Sequence, residues 1–283
     1  MHEISGESNH EISSEVDSAK DTAFDIYEDN KKLSISPQEF VEDCHRQSIN
    51  QILETNGKYM SDDDRARVSY GADNIWTTKY DPESGYTGYY LYKKGTSNIE
   101  ISVQDRDQME RTVIHETNHF ASKNSETYTS QPEKNGYTVY RMVGTRETSW
   151  FHSSETGVDS DFSSKGEGLN EGLTTMYTNR QLTELSEEKG LAAERQGIYW
   201  HSTELCKQLE NLVGEDTLKE AYYGGNIEAL KNKVDVLAGE NGYESLRDCM
   251  DRTLSKDRIE RVIAMRDAQD ILSEMYDKKG TDL

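Results

Sequence analysis

The sequence lacks most of the features that mark disulfide-rich, membrane-spanning and signal-directed proteins. Its 283 residues include only three cysteines, which are widely spaced and form no CxxC pair: Cys44, Cys206 and Cys249. That pattern argues against a disulfide framework and against a cysteine-based zinc site. No apolar run approaches the roughly 20 residues that a spanning helix needs, so we expect no membrane partner. The first residues have neither a basic start nor an apolar stretch, so we expect a cytoplasmic protein or one exported without a cleaved signal peptide.

Basic residues are also scarce. The chain has 32 Lys and Arg against 54 Asp and Glu, which gives a net charge of −22. An acidic surface repels phosphate backbones, so we expect no nucleic-acid partner. The charge itself favours solubility and leaves both the substrate and the oligomeric state open. Apolar residues make up only 33% of the chain, so a core requires that the polar residues concentrate in tails and loops, and the 17 tyrosines add apolar area to that core.

The residue pattern predicts an α+β fold in three regions. Residues 1–35 are acidic, rich in Ser and poor in apolar residues, which is typical of a disordered tail. Residues 36–165 mix helical and strand patterns and indicate an α+β lobe. Residues 166–283 indicate an α-helical lobe, with helices expected near 199–213, 216–223, 226–238, 243–254 and 257–277.

The elements of the α+β lobe follow from caps, turns and periodicity. A capping-box pattern at Ser36 opens a helix over 37–54. Three strands follow, joined by short turns that favour antiparallel pairing: Asn74–Tyr80, Tyr86–Lys93 and Asn98–Val103. A helix is then expected from Asp107, with Asp107 as its cap, to Ala121. A hairpin is expected around Tyr137–Val143 and Glu147–His152, and a second functional helix near Asn170.

The segment His115-Glu116-Thr117-Asn118-His119 matches the pattern HExxH. On a helix, residues four apart lie on the same face, so both imidazoles can reach one zinc ion. Glu116 would then lie beside the metal and can act as the base that takes a proton from water. The alternative is two exposed histidines on a solvated helix face.

A third ligand decides the class of zinc site. In the metzincin pattern a Gly and a His follow the second histidine, but Ser122 and Ser125 occupy those offsets here. Glu171 lies near the start of the later helix and can complete a site of two histidines and a glutamate, with one position left for water. Other acidic residues that could take this role are Glu167, Glu147 and Glu155.

The HExxH segment together with Asn170-Glu171-Gly172 resembles the gluzincin metallopeptidases, the thermolysin-like superfamily. The resemblance implies that His115, His119 and Glu171 bind Zn²⁺ and that Glu116 is the catalytic base. It also implies a zincin-like lobe whose antiparallel edge strand runs over the active-site helix, followed by a helical lobe. Asn98–Val103 corresponds to that edge strand, and an extended peptide could pair with it.

The resemblance is incomplete in the residues that follow Glu171. Thermolysin-type enzymes have Ser-Asp three and four residues later, and the Asp orients a zinc histidine, whereas this chain has Thr174-Thr175. The partner of that histidine must therefore come from elsewhere or be weaker. The resemblance also implies a Tyr or His that stabilises the oxyanion. The candidates are Tyr199 and His201, with Tyr222 and Tyr223 in reserve.

Two acidic segments and one histidine carry less weight. Residues 62–64 and 159–161 are expected to be solvated acidic turns, because neither has the spacing of a calcium loop. His152 is a lone histidine.

The sequence therefore predicts a zinc metallopeptidase, a hydrolase that acts as an endopeptidase on a peptide or protein substrate. Two alternatives remain: a narrow-specificity effector or toxin protease that is secreted, and a catalytically inactive module that binds zinc structurally.

Overall fold

A computed structural model describes residues 35–83, 85–93, 95–185 and 199–281, so residues 1–34 of the predicted tail lie outside it. The described part contains nine α-helices and two small β-sheets, which confirms the predicted α+β class. The helices are α1 Pro37–Asn56, α2 Asp62–Tyr70, α3 Arg106–Ala121, α4 Glu167–Leu185, α5 Trp200–Val213, α6 Glu215–Gly224, α7 Ile227–Ala238, α8 Gly242–Arg252 and α9 Arg258–Thr281. The strands are β1 Asn74–Lys79, β2 Gly88–Lys93, β3 Thr96–Val103, β4 Asn124–Gln131, β5 Gly136–Val143, β6 Arg146–Ser153 and β7 Asp159–Lys165. Two short 3₁₀ turns cover Gly57–Tyr59 and Pro132–Lys134.

The first sheet has the order β1-β3-β2, so β3 is its central strand. The prediction that Asn98–Val103 forms the edge strand was therefore wrong, and β2 takes that place. Purely antiparallel pairing was also wrong, because β1 runs parallel to β3 while β2 runs antiparallel to it. The reason lies in the apolar face of β3, where Ile99 and Ile101 are fully buried. The strand with the most buried side chains takes the centre, and the more exposed strands β1 and β2 flank it.

Helices α1 and α3 pack together beside this sheet. The predicted capping box of α1 is present, with Ser36 and Glu39 bonding each other's backbone N–H groups. The cap of α3 is Asp105, not Asp107 as predicted. The Asp105 side chain accepts the N–H of Gln108 at 2.9 Å, while Asp107 already lies inside the first turn. Asp105 and Asp107 both fit the N-cap pattern in the sequence. The extended backbone conformation at Asp105 identifies it as the cap.

The second sheet is an antiparallel meander in the order β4-β5-β6-β7. The hairpin of β5 and β6 was predicted, but β4 and β7 were not, because their sequences are polar and largely exposed. The prediction that the two acidic segments form turns was also wrong. Residues 159–161 begin β7, and residues 62–64 form the first turn of α2. Asp64 is buried there against Lys123, with Nζ at 2.7 Å from its carboxylate.

From α4 onward the described chain is helical, and each helix predicted in this region is present. Gly214 ends α5 as predicted. One apolar core runs from α1, through the first sheet and α3, into α4 to α9. Helix α4 contacts both α3 and α5, so it links the two regions.

Within the described residues, no helix has the length and apolar character needed to cross a membrane.

Candidate metal centre

Helix α3 brings His115 and His119 together on one face. Their ring centroids lie 4.9 Å apart, with the rings nearly perpendicular. The remaining sides of α3 bury apolar residues such as Met109, Val113 and Phe120 in the core. This packing fixes the rotation of the helix about its axis, and the rotation in turn decides where both imidazoles point.

Glu171 reaches the same point from α4. One carboxylate oxygen lies 3.3 Å from Nε2 of His115 and the other lies 3.4 Å from Nε2 of His119. The three ligand atoms are all within 4.8 Å of one another. Burial by itself would raise the pKa of the Glu171 carboxyl, but contact with His119 and His115 holds that pKa well below its ordinary range. The three residues selected from the sequence therefore meet at one place.

The residues on either side of Glu171 explain its position. Asn170 accepts the backbone N–H of Thr145, in the turn between β5 and β6, at 3.0 Å. Gly172 faces α5, where an added Cβ would come within 2.7 Å of both the Ser202 carbonyl oxygen and the Cys206 sulfur. Only glycine permits that approach of α4 to α5. In the Asn-Glu-Gly sequence, the Asn thus bonds the second sheet, the Glu is a candidate ligand, and the Gly allows close contact with α5.

The other ring nitrogen of His119 has partners as well. Thr174 Oγ1 and the Asn170 amide nitrogen both lie 3.3 Å from Nδ1. Thr174 donates its own proton to the Asn170 carbonyl oxygen at 2.7 Å, so its oxygen can accept from Tyr222 at 2.7 Å and from a protonated Nδ1. The Asn170 amide nitrogen is itself a donor and matches only the opposite tautomer, so Thr174 is the partner of a protonated Nδ1. That tautomer leaves the lone pair of Nε2 free for a metal ion that Glu171 would also bind. The first residue of the Thr174-Thr175 pair therefore provides a partner for the histidine, although without a carboxylate.

Glu116 is buried beside the cluster and is 7% exposed. The backbone N–H of Tyr90, on β2, donates to its carboxylate. Burial raises the pKa of Glu116 to about 7, and the charge of Glu171 adds to the rise. Strand β2 can approach α3 because residue 88 is glycine: a Cβ there would meet Thr112 at 2.6 Å. The edge strand, the candidate base and the candidate ligands are therefore held together by close contacts.

The cluster opens into a cavity of about 740 Å³ between β2, β5 and β6. His115, Glu116, His119, Glu171 and Tyr199 all line it. The ring of Tyr199 stacks on His115, with centroids 6.1 Å apart and an angle of 14° between the planes. Burial, together with the charges of Glu171 and Glu116, raises the pKa of Tyr199 above its ordinary value, so its hydroxyl keeps its proton and can donate.

His201, the second candidate for the oxyanion donor, and the reserve candidates Tyr222 and Tyr223 do not line this cavity. His201 packs against Trp200. Tyr222 bonds Thr174, and Tyr223 donates to Asn118 at 3.0 Å. Both tyrosines are fully buried and support the two helices that carry the cluster.

The alternative third ligands also have other roles or positions. Glu167 lines the cavity but pairs with Arg146 at 3.6 Å, and Glu147 pairs with Arg247 at 3.1 Å. Glu155 lies in an exposed turn. His152 bonds Asp159 at 2.6 Å, away from the cluster. Among the described residues, the group of His, Cys, Asp and Glu side chains close enough to hold one ion is His115, His119 and Glu171.

Several residues of the site were not anticipated from the sequence. The role of Asn170 in holding the turn after β5, the contact of Tyr90 with Glu116 and the chain from Tyr222 to His119 depend on contacts between distant segments. Arg111, which also lines the cavity, carried a local signal: it lies one turn before His115 on the same helix.

Comparisons with protein-family models, with curated proteins and with solved structures found no match for this chain. Its function must therefore be inferred from the chemistry of the site itself.

Proposed function

We propose that the protein is a zinc-dependent metallopeptidase that hydrolyses peptide bonds in a peptide or protein. The observation that carries this proposal is the meeting of three ligand atoms from α3 and α4 at the wall of an open cavity, with a buried carboxylate beside them. Such a site has protein ligands on one side and room for substrate on the other, as catalytic zinc sites do.

The donor set fits zinc. Two imidazoles and one carboxylate form a ligand set that zinc accepts in catalytic sites, and Nε2 of each histidine lies within 3.4 Å of a Glu171 oxygen. Zinc, when bound, supplies a Lewis acid that polarises a carbonyl group and lowers the pKa of water. His115, His119 and Glu171 would hold it.

The chain's own residues can carry the proton and the charge. The Glu116 carboxylate takes a proton from the attacking water as a C–O bond forms at the peptide carbonyl carbon. It then delivers that proton to the nitrogen of the leaving amine as the C–N bond breaks. The Tyr199 hydroxyl donates to the oxygen that gains negative charge. Both residues line the cavity beside His115: Tyr199 stacks on its ring, and Glu116 follows it in the chain.

The edge of β2 is suited to bind the substrate backbone. Its residues line the cavity while its partner β3 occupies only one side of it. An extended peptide can add to such an edge as a further strand. We therefore propose that a zincin-like lobe of gluzincin type, with β2 in place of the expected Asn98–Val103, binds the peptide next to Glu116.

The two alternative functions imply different structural features. A structural zinc module needs a fourth protein ligand. Within the described residues, the cluster contributes three groups and faces a cavity, which favours the catalytic proposal. The effector or toxin alternative was motivated by the acidic tail. Residues 1–34 of that tail lie outside the described residues, so this alternative stays a prediction.

Hydrolysis by the zinc-loaded protein tests the proposal. A proteome-derived peptide library is incubated with wild type and with Glu116→Gln, and cleavage is read by mass spectrometry. We expect cleavage by wild type, and a loss of about 10²- to 10⁴-fold in Glu116→Gln, the usual contribution of a general base. Glu110→Gln, which removes the same charge from the same helix outside the cavity, is the matched control. Equal cleavage by Glu116→Gln and wild type would overturn the proposal.

A further inference from the structure

Arg111 lies in the wall of the candidate active site. It is four residues before His115 on α3, so the two side chains share one face of the helix. It lines the same cavity as Glu116 and Glu171 and is partly buried. Desolvation lowers the pKa of the Arg111 guanidinium relative to its ordinary value, although the group stays charged.

Among the residues that the structure describes, Arg111 has no acidic partner, unlike the other arginines of the cavity. Arg141 pairs with Glu126 at 2.7 Å and lies over the ring of Trp150, and Arg146 pairs with Glu167. Among the described residues, no hydrogen bond or ion pair involves Arg111. The chain carries 54 acidic residues against 32 basic ones, so acidic side chains that could pair with an arginine are plentiful. A charged group that loses water without gaining a partner is unfavourable, and such groups are retained where a ligand completes them.

The Arg111 guanidinium donates hydrogen bonds and cannot accept them, so it requires an oxygen-rich or anionic partner. A carboxylate offers two such oxygens, and the planar fork of arginine matches its geometry.

We propose that Arg111 is a specificity-determining residue that binds a carboxylate of the substrate, so that the protein selects peptides with a carboxylate near the bond it cleaves. This inference rests on the proposed peptidase function. It identifies the substrate class by charge: a substrate carboxylate would pair with Arg111, since Arg141 and Arg146 are already paired with the protein's own acids.

The helix spacing limits where that carboxylate lies. Four residues of α-helix rise about 6 Å, and an extended peptide advances about 3.3 Å per residue. The recognised carboxylate therefore lies about one to two residues from the scissile bond. It belongs either to the side chain of Asp or Glu or to the C-terminus of a short peptide, and the two sources give different cleavage patterns.

The test compares cleavage specificity among arginine variants. Wild type, Arg111→Ala, Arg111→Glu and the control Arg106→Ala are incubated with a peptide library in two forms, with free and with amidated C-termini. Arg106 lies on the same helix, over the ring of Phe40, and does not line the cavity. For an acidic side chain, we expect enrichment of Asp and Glu at one position within two residues of the cleaved bond in both libraries. For a terminal carboxylate, cleavage near the C-terminus is lost on amidation.

Either preference is expected to fall by about tenfold or more in Arg111→Ala, the usual contribution of a hydrogen bond to a charged group. Arg111→Glu is expected to shift the preference toward Lys and Arg, while Arg106→Ala leaves it unchanged. A library profile without any carboxylate preference, or a preference that persists in Arg111→Ala, overturns the assignment even though cleavage itself continues.

A binding measurement separates this inference from the peptidase proposal. Fluorescence anisotropy records binding of matched peptides, which differ only in Glu or Gln at the selected position, to zinc-loaded Glu116→Gln and to the same variant carrying Arg111→Ala. Tighter binding of the Glu peptide that disappears with Arg111→Ala supports the carboxylate site even where no cleavage is found. Equal binding of both peptides contradicts it.

Discussion

Helices α3 and α4 bury polar side chains, whereas α5 to α9 bury mainly apolar ones. The polar set in α3 and α4 includes Thr117, Asn118, Asn170, Thr174 and Gln181, besides the candidate ligands and base. The later helices bury leucines, valines and aromatic rings, such as Leu205, Leu209, Leu218, Leu230 and Leu272. A buried polar group destabilises a fold unless it is hydrogen-bonded, so the two regions reflect different demands. The first is built to orient a site and the second to supply the apolar core.

The polar groups of α3 and α4 are bonded to one another. Asn118 donates to Gln181 at 2.7 Å and accepts from Tyr223, while Thr117 contacts His45 of α1 at 2.8 Å. Together with the chain from Tyr222 through Thr174 to His119, these contacts hold both helices in one rotational setting. The contrast teaches that substitutions at the candidate ligands, or in the hydrogen-bonded chain that reaches them, should change metal binding, while substitutions of apolar residues in α5 to α9 should change stability.

The largest effect is expected from removing a candidate ligand. Glu171→Ala removes the one carboxylate that faces both histidines, so zinc affinity should fall by more than the roughly 10- to 100-fold contributed by outer-shell partners. Competition with a zinc chelator measures this. Zinc binding also stabilises the folded state, so a chelator should lower the Tm of wild type but not that of Glu171→Ala. Equal zinc affinity in the two proteins would remove Glu171 from the site.

A substitution in the apolar region should give the opposite result. Leu209, on α5, is 1% exposed, and Leu209→Ala should lower the free energy of unfolding by about 2–5 kcal/mol through lost burial and a cavity. The zinc affinity of the folded protein should stay unchanged. Urea denaturation with chelator present measures the first quantity, and zinc titration well below the denaturation midpoint measures the second. A fall in zinc affinity would mean that the two regions are not separable.

His45 of α1, which contacts Thr117 of α3, should affect stability through pH. Burial lowers the pKa of His45 to about 4, whereas an unfolded histidine has an ordinary pKa near 6.5. Below pH 6.5 the unfolded state binds more protons, so this stability is complete above pH 6.5 and is lost as pH falls toward 4. The loss amounts to about 3 kcal/mol. Denaturation of the chelator-treated protein across this range should show it, and His45→Gln should flatten the profile. An unchanged slope in His45→Gln would contradict the assignment.

The smallest effect is expected from the hydroxyl that supports His119. Tyr222→Phe leaves Thr174 without its donor and should lower zinc affinity by about tenfold, the lower end for an outer-shell contact. Tyr223→Phe is the matched control, because it also removes a buried hydroxyl but one that bonds Asn118. We expect both variants to lose stability and only Tyr222→Phe to lose zinc affinity. Equal zinc losses would indicate a general effect of packing.

The parts of the site that follow from local periodicity were predictable. The spacing of His115 and His119 fixes their common face, and the helix starts could be placed to within a few residues. The third residue, Glu171, could be selected from the sequence because Asn and Gly flank it at a helix start. The structure brings all three together.

The parts that depend on contacts between distant segments were not predictable. Nothing local distinguishes β3 as the central strand from β2 as the edge strand, since both carry alternating patterns. The polar strands β4 and β7 lack an apolar signal altogether. The partner of His119 also depends on how α6 packs against α4, because that packing brings Tyr222 to Thr174. Pairing and packing of this kind are set by the whole fold.

The most direct measurement is the zinc content of the purified protein together with its X-ray absorption spectrum at the zinc edge. We predict one zinc per chain, bound by two imidazole nitrogens and by oxygen donors without sulfur, and the loss of this ion in Glu171→Ala. Absence of stoichiometric zinc, or a spectrum that requires four protein ligands including a thiolate, would contradict a catalytic site formed by His115, His119 and Glu171.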